Sequence, residues 1–306
     1  MKSNRIHLRT AFALVTLCAA AAPFTQQVFA GTQTRQSPAV KTVSSRDGTT
    51  IAFEQSGGGP VVILVSSALS GRVSGRRLAA LLAPSLTVIC YDRRGRGDSG
   101  DTQPYSIQRE IEDLEALIDH AGGSAMLFGA SSGAVLALDA ASKLPNKVSK
   151  VVMYEAPFVV DDTRPPVPED FVARVTQLVA SGHRDQAVEY FMVDAVGVPP
   201  DAVAQMRKQP MWAGMEKLAH TLAYDGMVMG DTQSGKPLPA NRWESATMPV
   251  LVMSGGASDA WLQDGSKSVA KLLPNATHRT LEGQDHSAPF TAPQAISPVI
   301  IEFFTR

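Results

Sequence analysis

The chain has 306 residues, of which 44% are hydrophobic and 19% charged, and its formal net charge at pH 7 is -1. This composition is that of a globular protein long enough for one large domain with an insertion. Because positive and negative charges nearly balance, neither a nucleic acid nor an anionic membrane surface is expected as a partner.

The first thirty residues have the organisation of a secretory signal peptide. A basic start precedes an apolar stretch at 11–22, which is too short to span a bilayer as a mature anchor. Val28, Phe29 and Ala30 then form a site of the small-residue type that signal peptidase cleaves. The sequence therefore predicts cleavage after Ala30, export to the periplasm or the medium, and no stable membrane anchor.

Removal of this segment leaves Cys90 as the single thiol of the chain. One thiol cannot form an internal disulfide, so the exported protein must be stabilised by its hydrophobic core. Cys90 falls within the strand-like stretch 86–91, and we expect it to be a small buried apolar residue.

From residue 40 onwards, apolar runs typical of buried strands alternate with helical patterns. Predicted strands lie at 41–46, 50–55, Val61–Val65, 86–91, 126–128, Val148–Tyr154, 249–254 and 277–281. Predicted helices lie at 76–83, 107–121 and 294–304, and a further helix follows Ser131. Strands connected by helices form parallel pairs with right-handed crossovers. The sequence therefore predicts an α/β fold with a mostly parallel central sheet flanked by helices.

The stretch 158–245 interrupts this alternation. It is rich in proline and methionine, and its pattern is helical or loop-like. We interpret it as a helical cap inserted between two parts of the core, at 31–157 and 246–306. Its methionines are expected to pack the cap against the sheet, and a functional interpretation is that several also line an adaptable apolar pocket above Ser131.

A Gly-x-Ser-x-Gly sequence at 129–133 lies between a predicted strand and a predicted helix. Gly129 and Gly133 lack Cβ atoms and allow the two elements to approach closely around a strained central residue. Such a turn exposes the Ser131 hydroxyl and directs the helix N-terminus at negative charge forming beside it. We therefore predict Ser131 to be a nucleophile, with a small-residue turn without chemistry as the alternative. Ser132 is expected to contribute its backbone N–H rather than its hydroxyl.

A serine hydroxyl is a poor nucleophile and needs a base, and His286 is the best placed of the six histidines. It lies in a loop that follows the last predicted strand. The other histidines lie in the signal peptide, in the cap, at the end of a surface helix or within a strand. The sequence therefore predicts His286 as the general base.

The base must be oriented by an acid that stabilises the imidazolium as it forms. Asp259 lies just beyond the strand 249–254 and is the preferred candidate. Glu155 is the main alternative because it directly follows the preceding strand. Asp264 and Asp285 are the remaining candidates. An order of serine, acid and histidine, each in a loop at the carboxyl end of a strand, is typical of a hydrolytic triad on an α/β fold.

From Val40 to the C-terminus, outside the cap, the chain resembles the α/β-hydrolase fold superfamily. Residues 91–99 are similar to the Asp-x-Arg-Gly-x-Gly-x-Ser loop that follows the fourth strand in that superfamily. Residues 129–133 resemble its nucleophile elbow, and residues 256–259 resemble its acid loop. The resemblance implies the fold of that superfamily with a variable inserted segment.

The resemblance also implies the roles of individual residues. It assigns Ser131 as the nucleophile, Asp259 as the acid and His286 as the base. Some members of the superfamily place their acid after the preceding strand, where Glu155 lies, so both carboxylates stay open at this point.

The predicted oxyanion hole departs from the usual pattern of the superfamily. The His-Gly pair that is common after the third strand is replaced by Ser66 and Ser67. Alignment places one oxyanion donor at the backbone N–H of Ala68, and the elbow places the other at the backbone N–H of Ser132. The elbow also has Ala130 where histidine is frequent.

The loop 92–99 contains two acids and three arginines. A phosphate site is one interpretation, but we favour an internal network of ion pairs that supports the elbow. The sequence has no Walker-type loop, no Cys/His ligand cluster and no His-Glu-x-x-His motif. We therefore predict neither a cofactor nor a metal.

These residues predict a serine hydrolase that transfers an acyl group to water from an ester-like small molecule with an apolar acyl or alcohol part. Lactone, amide and C–C bond hydrolysis and cofactor-free perhydrolysis are alternatives on the same fold. A serine at the elbow disfavours haloalkane dehalogenase and epoxide hydrolase chemistry, for which resembling enzymes use aspartate. A non-catalytic small-molecule binding protein is the alternative from a different class.

Overall fold

The computed structural model of the protein describes residues 38–306. The predicted signal peptide at 1–30 lies outside the described residues. Within the described part of the chain, no helix combines the length and the hydropathy needed to cross a membrane.

Eight strands form a single sheet. They are β1 (Lys41–Ser44), β2 (Thr50–Ser56), β3 (Val61–Val65), β4 (Thr87–Tyr91), β5 (Ala125–Ala130), β6 (Val148–Tyr154), β7 (Val250–Gly255) and β8 (Ala276–Leu281). Their spatial order is β1-β2-β4-β3-β5-β6-β7-β8. Strand β2 is antiparallel to both of its neighbours, and all other neighbouring pairs are parallel. The mostly parallel sheet with flanking helices confirms the predicted fold class.

The connections between strands are largely helical. The α-helices of residues 38–306 are α1 (Arg76–Leu82), α2 (Ile107–His120), α3 (Ser132–Lys143), α4 (Phe171–Ala180), α5 (Arg184–Tyr190), α6 (Pro200–Met206), α7 (Met211–Leu218), α8 (Leu222–Met229), α9 (Ala260–Leu272), α10 (Ala288–Thr291) and α11 (Pro293–Thr305). Two short 3₁₀ segments lie at Arg72–Gly75 and Ala219–Thr221, and Phe191–Val196 forms a π-helix.

Helix α2 shows how the sequence encodes these elements. The Ser106 hydroxyl accepts a hydrogen bond from the backbone N–H of Arg109 and so satisfies one of the free donors of the first turn. Apolar residues then recur at helical spacing on one face, and burial of such a side chain contributes about 1.5–3 kcal/mol. The buried members of this face include Ile111, Leu114, Leu117 and Ile118.

Two apolar layers enclose the sheet, because successive side chains of a strand point to opposite faces. In β3, Ile63 and Val65 belong to one layer, whereas Val62 and Leu64 belong to the other. Helices α2, α3 and α9 contribute to the first layer, and α1 and α11 contribute to the second. Cys90 lies in the second layer, where burial raises the pKa of its thiol to about 12.

The chain between β6 and β7 contains α4 to α8, which we call the inserted helices, and it packs a third apolar cluster. Buried members of this cluster include Phe171, Val175, Leu178, Met192, Trp212 and Leu222. Met192 joins this cluster and Met229 joins the sheet core, whereas Met211 is exposed. Ala68 and Leu69, in the loop after β3, pack against the cluster, so the inserted helices cover this loop.

Candidate active site

Ser131 lies at the sharp turn between β5 and α3. Its backbone has φ 55° and ψ -131°, a combination that costs about 1–3 kcal/mol in a non-glycine residue. A Cβ on Gly129 would lie 2.3 Å from the Gly133 carbonyl oxygen, and a Cβ on Gly133 would lie 2.4 Å from the Val65 carbonyl oxygen. Both glycines are therefore required for the strand and the helix to meet. The turn leaves Ser131 half-buried next to the N-terminus of α3.

The register of β5 and β6 brings two candidate residues side by side. Ala130 pairs with Tyr154 across these parallel strands, and the backbone N–H of Ser131 donates to the Tyr154 carbonyl at 2.9 Å. Neighbouring strands lie about 4.8 Å apart. Ser131 directly follows β5 and Glu155 directly follows β6. The two residues therefore lie next to each other at the carboxyl edge of the sheet.

The imidazole of His286 is paired with the carboxylate of Glu155. His286 Nδ1 lies 2.9 Å from Glu155 Oε2. The Glu155 side chain is fully buried, whereas that of His286 is 38% exposed. Glu155 Oε1 accepts a hydrogen bond from the backbone N–H of Gly255 at 2.6 Å. Glu155 also has a φ of 43°, which is uncommon outside glycine. Fixed partners for both oxygens let this carboxylate hold the imidazole in one orientation.

The structure pairs His286 with Glu155, the alternative acid, and not with Asp259, the preferred one. Asp259 is exposed at the start of α9, where it interacts electrostatically with the guanidinium of Arg164. The reason lies in the strand order, because β6 is adjacent to the strand of the nucleophile and β7 is one strand further away. The alternative carboxylate, Glu155, is the partner of His286.

The loop that carries His286 is fixed by the adjacent strand ends. The Tyr154 hydroxyl donates to the Asp285 carbonyl at 2.6 Å. The Asp285 carboxylate accepts from the backbone N–H and the hydroxyl of Ser287, so it caps the following turn instead of orienting the imidazole. The sequence does not indicate this contact of Tyr154, because Tyr154 fits the pattern of the apolar residues of its strand.

Ser131 and His286 form no hydrogen bond with each other among the described residues. In enzymes without a bound substrate, such bonds are often long and tighten only in the complex with the substrate. The structure therefore brings together two members of the predicted set, His286 and Glu155, and places Ser131 on the neighbouring strand end.

The loop after β3 contains Ala68, the predicted oxyanion donor. The carbonyl of Ser67, which belongs to the same peptide unit, accepts from Arg96 Nη1 at 2.6 Å and from the Ser70 hydroxyl at 2.8 Å. Leu69 has a φ of 53°, which marks a tight turn in this loop. The side chains of Arg96 and Ser70 therefore hold the Ser67 carbonyl of this loop in a fixed position.

Ser132, the other predicted oxyanion donor, opens helix α3. Its hydroxyl donates to Asp225 on α8 at 2.8 Å, a bond that the sequence does not indicate because 93 residues separate the two. Asp225 is buried, which by itself would raise its pKa. Arg96 and Arg93 outweigh this effect and hold the pKa of Asp225 below its usual range.

The arginines of the loop 92–99 form internal ion pairs, as predicted. Each contacts a buried carboxylate outside the loop, and these pairs are Arg93 with Glu110, Arg94 with Asp113 and Arg96 with Asp225. Through these charge-assisted hydrogen bonds, the three guanidinium groups connect the loop to α2 and α8. The contacts favour the structural interpretation of the loop over a phosphate site.

Comparison with known proteins identifies the family. A family model described as the alpha/beta hydrolase family matches residues 57–299. The chain belongs to this family. The match confirms the resemblance that the sequence motifs indicated, and the chain is an alpha/beta hydrolase.

Several known proteins are similar to this alpha/beta hydrolase. The crystal structure of an alpha/beta hydrolase from Sphaerobacter thermophilus is 55% identical, covers 86% of this chain and 100% of its own, and has a TM-score of 0.80. The 2-(acetamidomethylene)succinate hydrolase of Mesorhizobium japonicum is 27% identical over 83% of this chain and 91% of its own length. The enol-lactonase of Burkholderia xenovorans is 20% identical, covers 87% of this chain and 100% of its own, and shares the fold with a TM-score of 0.65.

A small cavity lies beneath the loop after β3 in this alpha/beta hydrolase. It measures about 30 Å³ and is lined mainly by apolar atoms, including those of Leu64, Phe128, Ala130 and Phe290. Each water needs about 10–15 Å³ by this measure, so the cavity has room for only about two molecules of that size.

Metal binding needs several ligands that converge on one point. Among residues 38–306 of the alpha/beta hydrolase, no group of three or more His, Cys, Asp or Glu side chains is arranged to hold a metal ion.

Proposed function

We propose that this alpha/beta hydrolase is a serine hydrolase that cleaves an ester-like bond in a small molecule with an apolar acyl or alcohol part. In this proposal Ser131 is the nucleophile, His286 is the general base and Glu155 is the orienting acid. The observation that carries the proposal is the pairing of His286 with a buried carboxylate next to the strained turn of Ser131.

In the acylation step, Ser131 Oγ attacks the carbonyl carbon of the substrate, and Nε2 of His286 accepts the hydroxyl proton. The bond between His286 Nδ1 and Glu155 supports this role because it keeps a proton on Nδ1 and leaves Nε2 as the acceptor. The imidazolium then gives its proton to the leaving alcohol, and an acyl-enzyme remains.

The oxyanion of the tetrahedral intermediate is bound by the backbone N–H groups of Ser132 and Ala68 in this proposal. The position of Ser132 at the start of α3 adds the positive end of the helix dipole. Removal of one such donor in other hydrolases costs about 10²–10³ in rate. In the second half of the reaction, His286 activates a water that attacks the acyl-enzyme, and the acid is released.

The substrate preference is inferred from the surroundings of the site. Ala68 and Leu69 pack against the inserted helices and their cluster of apolar side chains, so the region beside the proposed oxyanion hole is apolar. A small apolar acyl or alcohol group fits this environment. Because the similar proteins include a hydrolase named for 2-(acetamidomethylene)succinate and an enol-lactonase, amides and lactones belong in the substrate panel.

The proposal is tested by labelling with a fluorophosphonate probe and by hydrolysis of p-nitrophenyl esters of increasing chain length, beside lactones and amides. Stoichiometric labelling and ester turnover are expected of the wild type. Both are lost in Ser131→Ala, whereas Ser181→Ala, at an exposed serine, serves as the matched control and retains both. Hydrolysis at the wild-type rate in Ser131→Ala would refute the mechanism. A wild type that binds esters without labelling or turnover would point to a binding protein.

We also propose that the enzyme acts outside the cytoplasm, after removal of the signal peptide. The proposal is supported by the basic start, the apolar stretch and the cleavage site at Ala30. N-terminal sequencing of the mature protein from a producing cell should begin at Gly31. A full-length protein in the cytosolic fraction would contradict it.

A further inference from the structure

Asp225 is a buried carboxylate of the inserted helices that contacts the core. It lies on α8 and is 3% exposed. Its Oδ1 accepts from the Ser132 hydroxyl at 2.8 Å and from Arg93 Nη1 at 2.7 Å, and its Oδ2 accepts from Arg96 Nη2 at 2.7 Å. A carboxylate with three charge-assisted or hydroxyl donors is strongly fixed in position. Ser132 opens α3, and both arginines lie in the loop 92–99, so Asp225 joins α8 to the core beside Ser131.

One route from Asp225 leads to the first oxyanion donor. Arg96 bridges Asp225 and the Ser67 carbonyl, to which its Nη1 donates at 2.6 Å. The peptide unit is planar and trans, so fixing the Ser67 carbonyl fixes the direction of the Ala68 N–H on its other side. A cationic donor on the carbonyl oxygen also polarises the peptide and strengthens its N–H as a donor.

A second route leads to the other donor. The Ser132 hydroxyl bonds directly to Asp225, and the same residue offers its backbone N–H at the start of α3. Arg93 Nη1 also donates a longer hydrogen bond of 3.3 Å to the carbonyl of Ser66, which precedes the peptide unit between Ser67 and Ala68. A single carboxylate on α8 is therefore linked to both N–H groups of the hole.

We propose that Asp225 is a positioning residue that sets the relative orientation of the two oxyanion donors, through Arg96 to the Ala68 peptide and through the hydroxyl of Ser132. The inference rests on the proposed function, because it concerns the hole that the proposed mechanism uses. Asp225 touches no reacting atom, and its effect passes through the two donors. Its location on an inserted helix makes correct docking of that helix a condition for full activity.

The test compares Asp225→Asn with Asp139→Asn. Asp139 is also buried and also binds an arginine, since it accepts from Arg242 at 2.8 and 3.0 Å, but it does not contact the loops of the hole. Activity is expressed per site titrated with the fluorophosphonate, so that loss of folded protein does not count as loss of rate. Thermal unfolding is measured for both variants.

A positioning role predicts that Asp225→Asn lowers kcat per titrated site about 10- to 100-fold, less than the loss of a whole donor, with KM within about twofold of the wild type. The affinity of a boronic acid that forms a tetrahedral adduct with Ser131 should weaken by the same factor as kcat. In Asp139→Asn, Tm falls but kcat per titrated site and boronate affinity stay at wild-type values.

Two milder variants test the inference even if Asp225→Asn does not fold. Ser132→Ala removes only the direct bond and should lower kcat about 3- to 10-fold, as for a single hydrogen bond. Arg96→Lys keeps the charge but loses the fork that bridges Asp225 and Ser67, and it should weaken boronate affinity in parallel with kcat.

Two outcomes overturn the inference, and they are distinguishable. If the wild type is labelled and active while all three variants keep wild-type kcat and boronate affinity per titrated site, Asp225 is only structural. If the wild type is neither labelled nor active, the proposed function fails first, and the inference fails with it.

Discussion

Replacement of Glu155 by Gln should nearly abolish catalysis while leaving the fold intact. In the structure Glu155 accepts from the Gly255 N–H with one oxygen and faces His286 Nδ1 with the other. A glutamine can keep its oxygen on the Gly255 N–H only by turning its amide NH₂ group towards Nδ1. The imidazole must then carry its proton on Nε2, where the proposed mechanism needs an acceptor.

The magnitude follows from the charge that is lost. With Nδ1 and Oε2 2.9 Å apart, the charge centres of imidazolium and carboxylate lie about 4 Å apart. At that distance two unit charges attract by about 4 kcal/mol at an effective dielectric constant of 20. This is about a 10³-fold change in rate. With the unfavourable tautomer added, we expect a loss of kcat of about 10³–10⁴, the upper end being the loss of about 10⁴ for the corresponding substitution in a serine protease.

The assay is kcat for a p-nitrophenyl ester, measured per titrated site for Glu155→Gln and Asp259→Asn in parallel. Asp259→Asn is the matched control because Asp259 is exposed, and in the described part of the chain it forms no hydrogen bond with His286. It should keep kcat within about twofold, and KM should change little in either variant. A Glu155→Gln enzyme with more than a tenth of wild-type kcat, or a crippled Asp259→Asn, would refute the reasoning.

Three further predictions concern the scaffold of the site. Gly133→Ala should prevent stable folding, because its Cβ would lie 2.4 Å from a backbone oxygen of β3; soluble protein with wild-type Tm would contradict this. Tyr154→Phe loses the bond to the Asp285 carbonyl and should lower kcat about 3- to 10-fold with an unchanged KM, whereas equal kcat in both proteins would exclude a role of the hydroxyl. Hydrogen bonds from Arg76 outweigh burial and hold the pKa of Glu54 below its usual range. Glu54 therefore adds stability above the ordinary carboxyl pKa of about 4.3 that is lost as the pH falls through the lowered value. In urea unfolding, Glu54→Gln should be less stable than the wild type at pH 7, and the difference should shrink at pH 3; a difference independent of pH would contradict the ionic contribution.

The sequence predicted the parts of the site that depend on local geometry. Gly129 and Gly133 indicate the turn of Ser131 because no other residue type allows the strand and the helix to come so close. Apolar runs bounded by turns indicate parallel strands, and the loops of the site follow the carboxyl ends of these strands. These signals lie within a few residues of one another and need no knowledge of tertiary contacts.

The choice between Asp259 and Glu155 could not be made in this way. Both residues follow an apolar strand. The sequence does not show that Glu155 adopts a φ of 43° or that its carboxylate accepts a hydrogen bond from the backbone N–H of Gly255. Asp225 was missed altogether, because its partners lie 93 to 132 residues away and a lone aspartate in a helical stretch has the pattern of an exposed residue. Long-range pairs of this kind are set by packing rather than by local pattern.

If Ser131 is the nucleophile, as proposed, the anchoring of α8 restricts how a substrate can reach it. Tilting this helix away from the sheet would break the ion pairs of Asp225 with Arg93 and Arg96, and loss of one partner of a buried pair costs about 3–5 kcal/mol. Fewer than about one molecule in 100 would be open by that route at any moment. In the proposed mechanism, exchange of substrate and product at Ser131 is therefore expected to leave α8 in place on the sheet.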